Sequence, residues 1–157
     1  MASRPERCFR IADARHPIFD GVGAFLFGGR WNSPGKRIIY AADSFAGAML
    51  EMLVHTRIGR VPSSHKWIEI NISRTASVEV AEASALPGWS DEDSEAARRF
   101  GDTWFDSRRS LVLFVPSIAT NGLSWNCLIN QDHPELGQLI VTGPEAVVWD
   151  ARLFTRR

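Results

Sequence analysis

Cysteine is scarce: Cys8 and Cys127 are the only two in 157 residues, far apart and without a C-x-x-C pattern or a neighbouring histidine cluster. This excludes a disulfide framework and leaves no ligand set for a structural metal. An excess of charge is missing as well. Eighteen Lys and Arg stand against eighteen Asp and Glu, so no global field draws the chain to nucleic acid or to an anionic membrane. Long apolar runs are also missing. The opening "MASRPERCFRIAD" has no signal-peptide core, and no later run approaches a membrane span, so the chain reads as cytoplasmic. Neither a GxxxxGK[ST] phosphate loop nor a GxSxG nucleophile elbow occurs, and no segment repeats.

What remains is a chain of 45% apolar and 23% charged residues, the composition of a folded domain. Its length suits one domain over 1–157, with a core over about 9–153, and not two. Sixteen of its eighteen basic residues are arginine, a side chain that forks onto phosphates and carboxylates.

The pattern predicts strands at 8–13, 37–42, 66–72, 77–83, 110–117, 137–143 and 146–154, with 125–135 a mixed segment ending in a polar loop. Residues 16–35, rich in glycine and proline among aromatics, read as a long irregular loop. A helix is predicted over 43–59, capped by Asp43 or Ser44, ended by Gly59, with its apolar stripe along Ala46, Met49, Leu50, Leu53 and Val54. A second is predicted over 90–106, opened by a capping box of Ser90 and Asp93, with Ala97, Phe100, Gly101 and Trp104 along one face. Strands outnumber helices without regular alternation. The expected fold is therefore α+β, a single compact domain around a twisted, partly antiparallel sheet.

Three places carry residue types suited to chemistry. In "FGGRWNSPGKRIIYAAD" (27–43), Gly28 and Gly29 permit close backbone approach, while Arg30, Trp31, Asn32 and Tyr40 offer a guanidinium, aromatic rings and an amide. Read alone, the stretch is also a glycine-rich turn with a surface arginine. Glu51 forms a polar column with Gly47 and His55, each one helical turn away; it is either a site carboxylate or half of a surface pair. Ser117, at the end of the most apolar strand, is a hydrogen-bonding group in a cleft or a strand cap. His133, in "NQDHPE", is a base, a ligand or a loop residue.

The ordered blocks "GGRWNSPGKRIIYAA", "AGAMLEMLVH" and "LVLFVPS…WNCLINQDHPE" resemble the RES domain family, named for its arginine, glutamate and serine. The resemblance spans about Phe9 to Leu153. It departs from the family's usual run at Gln131, where proline is common, while Asn126, Asn130 and His133 match. It implies a fold similar to the ADP-ribosyltransferases and a bacterial toxin that consumes NAD⁺ as substrate, with no metal and no further cofactor. Carried over, the family's arginine falls on Arg30, its tyrosine on Tyr40, its glutamate on Glu51 and its serine on Ser117. Glu51, Arg30 and Tyr40 are then expected to be catalytic. Arg30, Tyr40, Ser117, Trp31, Asn32 and Asn130 are expected to contact substrate.

The implied reaction is cleavage of the nicotinamide–ribose bond with water or phosphate as acceptor, or transfer of ADP-ribose to a protein. The resemblance also implies an antitoxin with an Xre-type helix-turn-helix domain covering the pocket, and a toxin homodimer within the larger complex. DNA binding would belong to the antitoxin. Two rivals stand beside this reading: a non-catalytic module that binds NAD⁺ or the partner, and an RNA-cleaving toxin using His55 or His133 with Arg30.

Overall fold

A computed structural model describes residues 4–55 and 62–154. Seven strands form one sheet: β1 (Arg7–Asp13), β2 (Ile38–Ala42), β3 (His65–Ile72), β4 (Val78–Val80), β5 (Val112–Pro116), β6 (Trp125–Asn130) and β7 (Leu139–Ala146). Their order is β4-β5-β6-β2-β1-β3-β7. Every pairing is antiparallel except the short one between β4 and β5. Three helices, α1 (Val22–Phe27), α2 (Phe45–His55) and α3 (Glu95–Ser107), complete the α+β domain. Among the described residues, no helix is long and apolar enough to cross a membrane.

The sheet is not uniformly joined. β1 pairs with β3 along its whole length, from Arg7 opposite Asn71 to Asp13 opposite His65. With β2 it pairs only where Phe9 meets Ala42. The two halves therefore splay at the centre and curl toward each other. Ile68, Ile70 and Ile72 of one half share a buried cluster with Ile39, Val112, Phe114 and Ile129 of the other. Cys8 and Cys127 are free and buried in the same cluster.

On the outer face, α3 covers the β5–β6–β2 half, with Trp104 and Ala97 packed near Leu113, Val115 and Leu128. Helix α2 covers the junction, with Ala48 beside Phe9, Ile11 and Ala42. Burying the isoleucines and valines of these strands supplies the main driving force, about 25 cal/mol per Å² of apolar surface removed from water. β5, "VLFVP", is buried at every residue, as its uninterrupted apolar run predicts.

Several boundaries differ from the sequence expectation. The loop expected over 16–35 contains α1, with Gly28 at its end in a left-handed conformation (φ 73°). The strand expected over 77–83 is only Val78–Val80. α2 ends its described span at His55; Gly59, expected to terminate it, lies outside the described residues. Its start is as expected, the Ser44 hydroxyl accepting the Gly47 amide at 2.9 Å.

The buried face of α2 is rotated from the expected one, keeping Met49 and adding Phe45 and Met52. Ala48 is buried, whereas Leu50 and Val54 are exposed. The helix lies close on β2 through its small residues: a methyl on Gly47 would stand 3.3 Å from the Ala42 Cβ. That choice of face turns Glu51 inward.

α3 begins at Glu95, not at a Ser90 capping box, because residues 83–91 are occupied by a 3₁₀ turn and successive tight turns. The Asp93 carboxylate accepts the Glu95 amide instead. Its buried side is as predicted, with Ala97, Gly101 and Trp104. The segment 146–154 does not form an eighth strand. Asp150 accepts the Arg152 amide at 2.9 Å and closes a 3₁₀ turn, a local side-chain bond that competes with extended pairing.

Candidate active site

Where β1 and β2 part, the sheet opens into a cleft of about 550 Å³. Its lining comes from β1 and β2, from α1 and α2, from the 28–31 turn, and from Ile118 and Asn126. Glu51, Arg30 and Tyr40, three distant positions of the sequence, all border it.

Glu51 reaches the cleft from the inward face of α2, with its side chain 23% exposed. Two neutral donors hold it. Ser117 Oγ donates to Glu51 Oε1 at 3.1 Å, and Asn126 Nδ2 donates to the same oxygen at 3.0 Å. Oε2 is left facing His55 Nε2 at 3.7 Å, a longer approach to a side chain that is 77% exposed. No arginine or lysine neutralises this carboxylate among the described residues. Fixed by two dipoles at one oxygen, it presents negative charge and a free oxygen to whatever occupies the cleft.

The opposite wall is the 28–33 turn. Its two glycines have separate physical reasons: Gly28 takes a positive φ, and a Cβ on Gly29 would lie 2.7 Å from the Tyr40 hydroxyl. The turn is pinned from behind by α3, where a Cβ on Gly101 would fall 1.8 Å from the Trp31 carbonyl oxygen. Asp102 accepts both the amide and the hydroxyl of Ser33, at 2.8 and 2.6 Å.

Arg30 donates through Nη1 to the Asp91 carbonyl at 3.2 Å and the Trp89 carbonyl at 3.4 Å. Among the described residues no carboxylate pairs with it, so most of its fork is available to an anion. The Tyr40 hydroxyl is already used, donating to Asn32 Oδ1 at 2.6 Å and accepting from the Trp31 amide at 3.2 Å. Burial pushes its pKa well above that of a free phenol, with Asp102 adding to the rise and the Trp31 amide opposing it. Tyr40 therefore offers the cleft its ring.

Three of the expected substrate contacts, Asn32, Asn130 and Ser117, are not among the residues lining the cleft. Trp31 does line the cleft, though it is only 1% exposed and its ring is edge-on to Phe100. Asn32 is equally buried and spends its amide on the Ala24 and Ser33 carbonyls. Asn130 lies at the far end of β6, donating to the Phe105 carbonyl and accepting the Asp132 amide. Ser117 is 2% exposed and turned to Glu51, so it positions the carboxylate instead of touching a ligand. His133 is buried between the Arg108 carbonyl and the Glu135 amide, away from the cleft.

Two residues of the site escaped the sequence reading. Asn126 was visible only as part of a matching run. Arg10 was hidden in an ordinary alternating strand. Its Nε donates to the Ile18 carbonyl at 2.7 Å and its Nη1 to the Tyr40 carbonyl at 2.8 Å. If pairing continued from Phe9–Ala42, Ile11 would lie opposite Tyr40. The Arg10 guanidinium instead spans the opening and ties β1 to β2 by a side chain. Burial lowers its pKa, and the charge of Asp20 counters part of that effect. Arg10 and Asp20 both line the cleft.

A family model, the RES domain, matches residues 7–150. A protein of Sphingobium sp. (strain YBL2) named "Prs ADP-ribosylating toxin" is 38% identical over 94% of this chain and 96% of its own length. A protein of Pseudomonas putida (strain KT2440) named "Toxin Res" is 37% identical over 85% of this chain and 91% of its own length. Among solved structures, the crystal structure of the M. tuberculosis MbcT–MbcA toxin–antitoxin complex matches with a TM-score of 0.74 at 21% identity. The match covers 95% of this chain and 86% of that one; at this identity the likeness is one of fold.

Proposed function

The chain belongs to the RES domain family, and on that premise we propose that it is a toxin of a toxin–antitoxin pair that cleaves the nicotinamide–ribose bond of NAD⁺. The observation that carries this reading is the Glu51 carboxylate, held by Ser117 and Asn126 at the edge of a 550 Å³ cleft whose other wall bears Arg30 and Tyr40.

The chemistry suits those groups. The bond between ribose C1′ and the pyridinium nitrogen breaks with its electron pair going to nitrogen, and neutral nicotinamide leaves without needing a proton. Positive charge develops on the ribose, as in glycoside cleavage. A carboxylate fixed beside it stabilises that charge more than it stabilises the ground state. The Tyr40 ring packs against the flat pyridinium or its ribose. Arg30 forks onto the diphosphate or onto an attacking phosphate. The acceptor then bonds to C1′ and loses its proton. NAD⁺ is substrate here, and the reaction belongs to the cytoplasm.

Water, inorganic phosphate and a protein side chain are alternative acceptors. The name borne by the Sphingobium relative favours the last. Purified protein incubated with labelled NAD⁺ separates them. Nicotinamide release that requires phosphate identifies a phosphorylase, and release without it a hydrolase. Label fixed on a protein of a cell extract identifies a transferase. Absence of both overturns the enzymatic reading and leaves a binding module. The RNA-cleaving alternative finds little support, since His55 is the only histidine among the residues lining the cleft.

A partner covering the cleft is the second half of the proposal. Leu26 and Phe27 on α1, Val54 on α2 and Leu123 beyond β5 are 57%, 83%, 60% and 90% exposed. The first three stand on elements that line the cleft, and Leu123 on the loop that carries Ile118. Exposed apolar residues on these elements suit a hydrophobic segment of an antitoxin, here of the Xre helix-turn-helix type. The outer edge of β7, with Ile140 65% exposed, is open to the expected homodimer.

A further inference from the structure

Glu51, Tyr40 and Arg30 are placed above against the nicotinamide riboside and the diphosphate of NAD⁺, and the adenine ring has no residues assigned to it. A second cavity of about 350 Å³ lies between α3 and the 85–89 segment. Trp31, Leu86, Trp89 and Phe100 form its walls, and Ala96 and Thr103 are among its smaller lining residues. Their spacing has a simple origin: 96, 100 and 103 fall on one side of α3, facing a segment held by the Gly88 turn (φ 79°).

Three contacts join this cavity to the cleft. Trp31 borders both. Arg30, in the cleft wall, donates to the backbone of Trp89 and Asp91. The Trp89 ring also reaches the loop after β5, where a Cβ on Gly122 would lie 3.3 Å from its Cζ2; Ile118 of that loop lines the cleft. Arg30, which has no carboxylate partner among the described residues, thus stands between the cleft and an aromatic groove.

A dinucleotide carries its groups in the same order: a nicotinamide riboside, an anionic diphosphate, then a flat purine. We infer that the groove between α3 and the 85–89 segment is a subsite for the adenine ring, with Arg30 on the diphosphate between the two cavities. This inference rests on the NAD⁺ reading above. The groove's polar groups are largely engaged elsewhere: the Thr103 hydroxyl donates to the Arg99 carbonyl, and the Arg99 guanidinium pairs with Glu95. Recognition is therefore by stacking and shape instead of by hydrogen bonds to the base edge.

The test uses two substitutions of different kinds. Thr103→Trp, at an exposed position of α3, fills the groove, and Trp89→Leu removes an aromatic wall. Calorimetric titration with ADP-ribose and with ribose 5-phosphate, beside steady-state kinetics with NAD⁺, reads the result, and thermal melting confirms that each variant is folded. The inference predicts that ADP-ribose affinity falls at least tenfold in both variants, with ribose 5-phosphate binding within twofold of wild type. It also predicts a raised KM for NAD⁺ at nearly constant kcat.

The inference is overturned if ADP-ribose binds the variants as tightly as wild type, or fails to bind wild type. It is also overturned if kcat falls with KM unchanged. A wild-type protein that binds ADP-ribose in this groove-dependent way but releases no nicotinamide would defeat the enzymatic reading and leave the subsite intact.

Discussion

β1 has two neighbours and treats them differently. Against β3 it is a continuous antiparallel seam; against β2 it touches at Phe9–Ala42 and then separates. On the closed seam the strands are joined by backbone pairing, with Ile68, Ile70 and Ile72 buried in the core. On the open one the half-buried Arg10 ties the strands together by a side chain, and the space left between them is the cleft. A sheet that closed fully would be simpler to stabilise and would have no room for a ligand.

Substitutions on the two seams should therefore differ in kind as well as in size. Arg10→Met leaves the Ile18 and Tyr40 carbonyls buried without their donor. At about 1–3 kcal/mol for each of the two orphaned groups, unfolding in denaturant should show a loss of about 2–6 kcal/mol, and NAD⁺ turnover should vanish with the cleft. Tyr40→Phe removes the partner of Asn32 Oδ1 and of the Trp31 amide. It should cost about 1–3 kcal/mol and weaken NAD⁺ binding, because the turn bearing Arg30 loses its anchor. Ile70→Val, on the closed seam, should cost only about 0.5–1.5 kcal/mol and leave kcat and KM as they are. A cleft that kept full activity in Arg10→Met would show that the open seam does not depend on the arginine.

The open seam also makes a pH prediction. Tyr40 is the only tyrosine, so phenolate absorbance near 295 nm reports on it alone. Its pKa is raised in the folded state, so the folded protein should ionise at higher pH than the unfolded chain, whose phenol titrates near 10. The sign follows: the contribution of this group to stability is complete below about pH 10 and is lost as pH rises toward the folded value. A folded-state midpoint at or below that of the denatured chain would place the hydroxyl in water and contradict the geometry of the turn.

What the sequence disclosed divides along the same line. β5 was legible because a run buried on both faces needs no partner to be recognised, and the inner side of α3 because Ala97, Gly101 and Trp104 keep helical spacing. The face of α2 was legible only in part: Met49 packs on the core as its spacing predicts, but Ala48, Phe45 and Met52 join it where Leu50 and Val54 were expected, and only the packed structure shows which side the sheet claims. The supposed strand at 146–154 has strand-like residues, but Asp150 captures a nearby amide. Arg10 was invisible for a deeper reason. In "CFRIAD" it reads as an outward position of a strand, and its role exists only because β2, thirty residues on, turns away. Glu51, Arg30 and Tyr40 were found through a family resemblance and not through spacing. Spacing alone left Glu51 undecided between a site and a surface pair.

The central claim is that Glu51, fixed by Ser117 and Asn126, is the charge that drives cleavage. It is tested most directly by measuring nicotinamide release from NAD⁺ by wild type and by Glu51→Gln, both freed of any partner and both shown to melt alike. The account predicts release by wild type and a loss in the variant on the order of 10²–10³-fold, the scale of removing one preorganised electrostatic group. Glu51→Gln releasing nicotinamide at the wild-type rate would contradict it.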